Sequence, residues 1–457
     1  MTYFFETYGC QMNCAESAAL KLAAQERGWT EAASSDAADL ILINTCSVRA
    51  TAERRVEGRL AQYEAARKKR PFTLVVAGCM AERLGETLKT RWRCVTAVMG
   101  PRARDLFPLI LAQTEARGPG APFEPPPADE KPVFSFAPSH TGGGESPFRS
   151  YIPVMHGCSN FCSYCIVPYV RGPEVSRPPD SILREIRGAA ESGVREITLL
   201  GQNVNSYRWG RVQFPELLSL VADAIEGTPL RWVRFLSSHP KDLSDETIRV
   251  MAARPCFCRH LHLPVQHGSN RILAAMNRRY TREDYLALTA RLRSAMPDLS
   301  LSTDILVGFP GETREDLDAL LSLMEEARFS YAYMYHYNPR EGTAAYALPN
   351  RVSESEKRAR LAEVIALQKR HTRACLEERI GARAGARVRA LVERPAPRNP
   401  AAVLARTERD EMVVFPGSRS LIGRFVDVRL EALRGNTLLG GDYSPTCEIG
   451  PPTRYSL

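Results

Sequence analysis

The stretch Tyr151-Ile-Pro-Val-Met155-His156-Gly157-Cys158-Ser-Asn-Phe-Cys162-Ser-Tyr-Cys165 carries three cysteines, with three and then two residues between them, directly after an apolar run. The apolar run reads as a buried strand. A short loop at its end can point three thiolates at three corners of one cubane iron-sulfur cluster and leave the fourth iron without a protein ligand. Such an open iron is a place for chemistry. Zinc is the competing reading, but zinc favours four tetrahedral ligands, commonly from two separated cysteine pairs, and here only His156 stands near the three cysteines.

Outward from this loop, six strand-like runs alternate with helical ones: Tyr151 to Met155, Ile197 to Leu200, Trp232 to Leu236, His260 to Val265, Leu301 to Val307 and Tyr331 to His336. Six βα units predict a partial, open parallel (β/α)6 barrel, whose active site gathers at the carboxyl ends of the strands. The cysteine loop follows the first strand. Gln202 and Asn203 follow the second, Ser237-Ser-His239 the third, Gln266 the fourth and Gly308-Phe-Pro-Gly-Glu312 the fifth. These are the positions where a cofactor would lie, although loops at the top of a barrel are polar in any case.

The first hundred residues repeat one arrangement three times. The runs Tyr3 to Tyr8, Asp39 to Asn44 and Phe72 to Ala77 read as buried strands, each followed by a helical pattern, which predicts a small parallel α/β sheet. Cys10, Cys46 and Cys79 each stand within two residues of a strand end. The carboxyl ends of neighbouring parallel strands share one edge, so these three cysteines are expected to converge on a second three-thiolate site. The plain alternative is three buried thiols.

Residues 112 to 147 turn to Pro, Gly, Ser and acids, including Pro125-Pro-Pro127 and Gly142-Gly-Gly144, and read as a linker. After Tyr346 a charged amphipathic helix, roughly Glu354 to Leu376, leads to short alternating segments at Arg387 to Val392, Met412 to Phe415 and Phe425 to Leu430. A small five-stranded antiparallel barrel fits them. The expected domains are thus 1–112, a linker over 113–147, 148–376 and 377–445.

The 457 residues suffice for about three domains. No apolar run is long enough to span a membrane, and the Met1-Thr-Tyr-Phe-Phe-Glu6 start has no basic leader, so a cytoplasmic protein is expected. Twelve cysteines in a reducing compartment read as metal ligands or buried thiols. Of these, Cys94, Cys256, Cys258, Cys375 and Cys447 are expected to be structural, and His262 and His336 to be core histidines. The net charge is +9, and residues 381 to 441 hold eleven arginines and no lysine against six acids. A basic module of this kind suits a phosphate-rich partner, although a solvated basic surface would look the same.

The motifs resemble one family over nearly the whole chain. The Cys158 to Cys165 loop and its barrel are similar to the radical S-adenosylmethionine (SAM) core of the methylthiotransferases. Tyr8-Gly-Cys10-Gln-Met-Asn13, Asn44-Thr-Cys46 and Ala77-Gly-Cys79 resemble their N-terminal domain, and the basic tail resembles their TRAM domain. Cys165-Ile-Val-Pro-Tyr169, Arg171-Gly172, Glu174, Ser176-Arg177, His262-Leu-Pro-Val-Gln266 and Tyr337-Asn-Pro-Arg-Glu-Gly-Thr343 are similar to the tRNA branch. His267 and Pro173 depart from its common pattern.

The resemblance implies two 4Fe-4S clusters and SAM as cofactors. Cys10, Cys46 and Cys79 would hold the auxiliary cluster, bearing the sulfur that a first SAM methylates. Cys158, Cys162 and Cys165 would hold the cluster that cleaves a second SAM. The radical so formed would abstract hydrogen from carbon 2 of isopentenyladenosine at position 37, beside the anticodon, and that carbon would take up the methylated sulfur. Tyr164, Gln202, Asn203, Ser237, Asp304 and Gly308 become candidates for holding SAM, and Arg171, Glu174 and Arg177 for a substrate channel. The implied partners are a tRNA bearing isopentenyladenosine and an electron donor such as a flavodoxin or ferredoxin, with the enzyme a monomer. Two rivals stand beside this reading: a sister methylthiotransferase acting on a ribosomal-protein aspartate or on threonylcarbamoyladenosine in tRNA, and a two-cluster electron carrier with an RNA-binding tail.

Overall fold

The computed structural model of the protein describes residues 1–47, 50–127, 135–136, 146–381, 387–397 and 399–446. Gly142-Gly-Gly144 and Cys447 lie outside the described residues. The N-terminal unit runs β1 (Thr2–Tyr8), α1 (Gln11–Glu26), β2 (Thr30–Glu31), β3 (Leu40–Thr45), α2 (Ala50–Arg67), β4 (Thr73–Gly78), α3 (Cys79–Leu84), α4 (Thr87–Arg91), β5 (Ala97–Met99) and α5 (Phe107–Arg117). Its strands form a five-stranded parallel sheet in the order β2-β1-β3-β4-β5. All residues of β3 and β4 are buried, because helices cover both faces of the sheet. Ile41, Ile43, Leu74 and Val76 pack against α2, α3 and α4, while Leu40, Leu42 and Val75 pack against α1 and α5. The described part of the expected linker folds back on this unit, with Gln113 and Glu124 exchanging hydrogen bonds.

The central unit runs β6 (Arg149–Pro153), β7 (Met155–His156), α6 (Val167–Arg171), β8 (Val175–Ser176), α7 (Pro179–Glu191), β9 (Glu196–Leu200), β10 (Arg208–Trp209), β11 (Val212–Gln213), α8 (Phe214–Ala224), β12 (Trp232–Phe235), α9 (Asp245–Ala253), β13 (His260–His262), α10 (Asn270–Ala275), α11 (Arg282–Ala295), β14 (Ser300–Val307), α12 (Arg314–Ala327) and β15 (Tyr331–His336). The six predicted strands are present, as two three-stranded parallel sheets, β12-β9-β6 and β13-β14-β15, bridged where Val233 pairs with Phe257. Among the described residues β6 and β15 do not pair, so the barrel is partial and open along that side. Thr281 with Asp284 and Thr313 with Asp316 form reciprocal caps that start α11 and α12.

Helix α13 (Glu354–Gly381) runs past the expected boundary at 376, and its Leu376 packs in the core of the C-terminal unit. That unit is a closed barrel of β16 (Arg387–Ala396), β17 (Asn399–Thr407), β18 (Met412–Pro416), β19 (Phe425–Arg434) and β20 (Thr437–Pro445). Its ladders are antiparallel, as expected, and a short parallel pair of β18 with β20 closes the barrel.

Ionic seams join the three units. Glu196, at the start of β9, accepts hydrogen bonds from Arg234 of β12 and Arg406 of β17. Asp410 accepts from the Tyr331 hydroxyl at 2.7 Å, and that hydroxyl lies 2.9 Å from His260 Nε2. Trp232 and Phe425 add an edge-to-face contact, centroids 4.8 Å apart. The C-terminal barrel thus closes the amino-terminal end of the central barrel and leaves the other end, with the cysteine loop, to the N-terminal unit. There Met12 and Ala15 of α1 pack on Leu200, Tyr151 and Leu236, and Arg340 pairs with Glu53 at 2.9 Å.

Candidate functional site

Strand register brings the first cysteine set together. Tyr8 pairs with Thr45 and Thr45 with Gly78, so β1, β3 and β4 end side by side. Cys10 caps α1, Cys46 follows β3 directly and Cys79 opens α3. Asn13 ties the loops together: its Oδ1 accepts from the Cys10 N–H at 3.2 Å, and its Nδ2 donates to Asn44 Oδ1 at 2.9 Å and to the Thr45 carbonyl at 3.1 Å. Gly78 has φ +90°, and a Cβ there would collide with the Thr45 carbonyl oxygen, so the tight approach of β4 to β3 at this edge requires glycine.

The second set is braced from three segments of the chain. The Gly157 N–H donates to Gln202 Oε1 at 2.6 Å, and the Cys158 N–H to the Gly172 carbonyl at 3.1 Å. The Ser159 N–H donates to Glu174 Oε1 at 3.2 Å. Ser163 Oγ donates to the Ala275 carbonyl at 2.8 Å, and Asn277 Nδ2 to the Phe161 carbonyl at 2.9 Å. Burial pushes the Cys158 thiol up and the Cys165 thiol up to about 12. A bound metal reverses that preference, since a coordinating thiol is deprotonated outright. Among the described residues no three His, Cys, Asp or Glu side chains could hold a single metal ion. The thiolates of a four-iron cluster each bind a different iron and stand farther apart.

The two sets are neighbours. Cys79 packs against Ile166 and Val170, which follow Cys165 at the start and within α6. Arg171, at the end of α6, reaches Glu16 of α1 at 2.8 Å. Burial opposes its charge, but Glu16 and the thiols of Cys79 and Cys10 outweigh that and hold the guanidinium well above its usual range. Burial likewise raises the Cys79 thiol, and Arg171 opposes the shift.

The barrel top has the unmet polarity that a bound polar cofactor would satisfy. Asn203 Oδ1, Ser238 Oγ and His239 Nε2 are buried without a hydrogen-bond partner among the described residues. They lie close together, since Val204 N donates to the Ser237 carbonyl and Asn203 Nδ2 to Asp242 Oδ2. Ser237 itself has φ +66°, a strained value for a non-glycine residue. Tyr164 and Asp304 point to the same end of the barrel, with the Tyr164 hydroxyl 3.4 Å from Arg278 and Asp304 3.6 Å from His262 Nε2. These buried acceptors and donors, beside a three-thiol loop, fit a cluster with SAM.

Several other residues have structural contacts of their own. Gln202 braces the cysteine loop through Gly157. Gly308, at φ +69°, is accounted for by packing, because a Cβ there would strike the Lys357 side chain of α13. Arg171 and Arg177 are interior residues and do not line an open channel: Arg171 holds Glu16, and Arg177 is locked to Glu185 and Ser181 beneath β6. Glu174 is half-buried against the cysteine loop. His262 bonds Ser302 at 3.0 Å as a partly buried strand histidine, and His267 is buried between the Ser269 N–H and Glu312. The sequence reading missed Arg278, whose Nη1 stands 3.4 Å from Cys162 Sγ. Its only sequence signal is a basic pair, Arg278-Arg279, at a helix end.

Comparison with known proteins agrees with this architecture. Residues 152–324 match the Radical SAM superfamily, residues 2–100 the Uncharacterized protein family UPF0004, and residues 382–441 the TRAM domain. The chain is 48% identical over 451 residues to the tRNA-2-methylthio-N(6)-dimethylallyladenosine synthase of Treponema pallidum (strain Nichols), covering 96% of this chain and 98% of the relative. It is 42% identical over 444 residues to the protein of that name from Bacteroides thetaiotaomicron, covering 96% and 95%. Among solved structures, the radical S-adenosylmethionine methyltransferase TsrM from Kitasatospora setae superposes with a TM-score of 0.56 at 16% identity, over 76% of this chain and 77% of that one. That likeness shows the fold alone.

Proposed function

Because the chain belongs to the family of tRNA-2-methylthio-N(6)-dimethylallyladenosine synthases, we propose that it replaces the hydrogen on carbon 2 of N6-isopentenyladenosine, beside the tRNA anticodon, with a methylthio group. The observation that carries the reading is the meeting of two three-cysteine sets across one short helix, Cys79 against Ile166 and Val170. One set suffices for radical generation; a transferred sulfur needs a second, within reach of the first.

On this reading Cys10, Cys46 and Cys79 hold one 4Fe-4S cluster, and Cys158, Cys162 and Cys165 hold the other. When bound, the clusters and SAM supply a hydrogen-abstracting radical and the methylthio sulfur, chemistry that no side chain offers. The chain's own residues orient and enclose. Gln202 and Glu174 fix the cysteine loop through its backbone N–H groups, while Asn203, Ser238 and His239 present unmet polar atoms to SAM. The buried pair of Glu16 and Arg171 fixes α1 against α6 and so holds the two cysteine sets together. The basic C-terminal barrel supplies tRNA affinity through phosphate contacts.

The proposed setting is the cytoplasm, as a monomer, with a flavodoxin- or ferredoxin-type electron donor; among the described residues no helix is long and apolar enough to cross a membrane. Deoxyadenosine release from SAM tests the substrate. Isopentenylated tRNA should stimulate it over tRNA lacking the isopentenyl group, over threonylcarbamoylated tRNA and over ribosomal protein. Equal stimulation by either alternative substrate would overturn the assignment.

A further inference from the structure

Arg278 is a buried cation at the barrel cysteine set, only 4% exposed. Its neighbours Asn277 and Arg279 have φ of 57° and 58°, and this pair of left-handed turns drives the residue between them inward. Nη2 donates to the Pro264 carbonyl at 2.8 Å and Nε to the Tyr280 hydroxyl at 3.0 Å. Nη1 faces Cys162 Sγ and the Tyr164 hydroxyl, each at 3.4 Å. Among the described residues no carboxylate pairs with it. A buried guanidinium without a carboxylate partner is costly, and beside two neutral phenols the neighbour that becomes an anion as a metal ligand is the Cys162 sulfur.

We propose that Arg278 is a positioning residue for the cluster on Cys158, Cys162 and Cys165, where its charge and its N–H group toward Cys162 Sγ stabilise the reduced state and raise the reduction potential. The inference rests on the radical-SAM reading of that loop. Net charge, hydrogen bonds to the ligand sulfurs and solvent exposure are the protein's means of setting such potentials. Reduction adds an electron to an already anionic, thiolate-ligated centre. A fixed cation at one sulfur favours that state over the oxidised one, and the bond to the Pro264 carbonyl keeps the cation in place.

The test is a midpoint potential, read by electron paramagnetic resonance during a redox titration. The full chain carries Cys10→Ala, Cys46→Ala and Cys79→Ala so that one reconstituted cluster is observed. Adding Arg278→Gln should shift the potential downward with iron content unchanged, and Arg278→Lys should recover part of the shift. An iron-replete Arg278→Gln chain with an unchanged potential overturns the proposal, as does Arg278→Lys falling as low as Arg278→Gln. If Arg278→Gln takes up no iron, Arg278→Lys is compared with Tyr280→Phe, which removes a neighbouring hydroxyl but no charge. A potential below the parent's for lysine and equal to it for Tyr280→Phe supports the proposal; a shift as large for Tyr280→Phe as for lysine overturns it. Failure of the parent chain to bind iron would sink the cluster reading itself, a separate result.

Discussion

Arg171 Nη1 lies 2.8 Å from Glu16 Oε1, and each side chain is only 3% exposed, so one buried ion pair joins the N-terminal unit to the central barrel beside both cysteine sets. Removing one partner strands the other charge in the interior, at a cost of about 3 to 5 kcal/mol. Glu16→Gln should therefore lower the melting temperature strongly. The double variant Glu16→Leu with Arg171→Met should recover much of the loss in calorimetry, which would separate the penalty of a stranded charge from the worth of the pair.

The proposed function gives the two cysteine sets separable roles. Cys162→Ala should abolish deoxyadenosine formation while the N-terminal cluster still assembles, and persistent deoxyadenosine would refute the assignment. Cys46→Ala should keep some deoxyadenosine formation but give no methylthio nucleoside.

Gly78 permits the close approach of β4 to β3, at φ +90° with the Thr45 carbonyl against its Cα. Gly78→Val should cost on the order of 3 kcal/mol from strain and collision. Iron analysis should show loss of the N-terminal cluster, with the barrel cluster retained.

Burial holds His260 down to about 3 and His239 down to about 2. An unfolded histidine titrates near about 6.5. Below that pH the unfolded chain takes up protons that the folded chain refuses. Stability is therefore complete above about pH 6.5 and falls as pH drops toward 3, by about 1.4 kcal/mol per pH unit for each histidine. Melting curves between pH 7 and pH 5 should show this slope, and His260→Gln should flatten it. An unchanged slope would mean that His260 takes up its proton while folded.

Arg394, Arg419 and Arg424 are exposed on the C-terminal barrel. Replacing all three with Gln should weaken tRNA binding and reduce the slope of log K against log salt by about 0.7 to 0.9 for each phosphate no longer neutralised. SAM cleavage without tRNA should not change, and an unaltered salt slope would place the RNA elsewhere.

Much of this architecture was legible because its signals are local. Strands β1, β3 and β4 of the N-terminal sheet are short apolar runs with a cysteine at the end, and parallel register then aligns those ends without further information. The Cys158 to Cys165 loop carries its chemistry in its own spacing. Contacts between distant residues were not legible. Arg278 meets Cys162 across 116 positions, through a left-handed turn that no propensity marks. Arg171 and Arg177 entered as channel candidates through the family resemblance; both are interior, since Glu16 and Glu185 supply counter-charges that only the folded chain brings near. Helix α13 outruns its expected end because Leu376 and Ile380 serve the C-terminal core, where tertiary packing outweighs local pattern.

The most direct test of the central claim is the mass of the nucleosides from isopentenylated tRNA after anaerobic incubation with the iron- and sulfide-reconstituted protein, SAM and a strong reductant. The methylthio derivative of isopentenyladenosine should appear together with deoxyadenosine. Deoxyadenosine without a modified nucleoside would contradict the tRNA assignment, and the absence of both would contradict the radical chemistry itself.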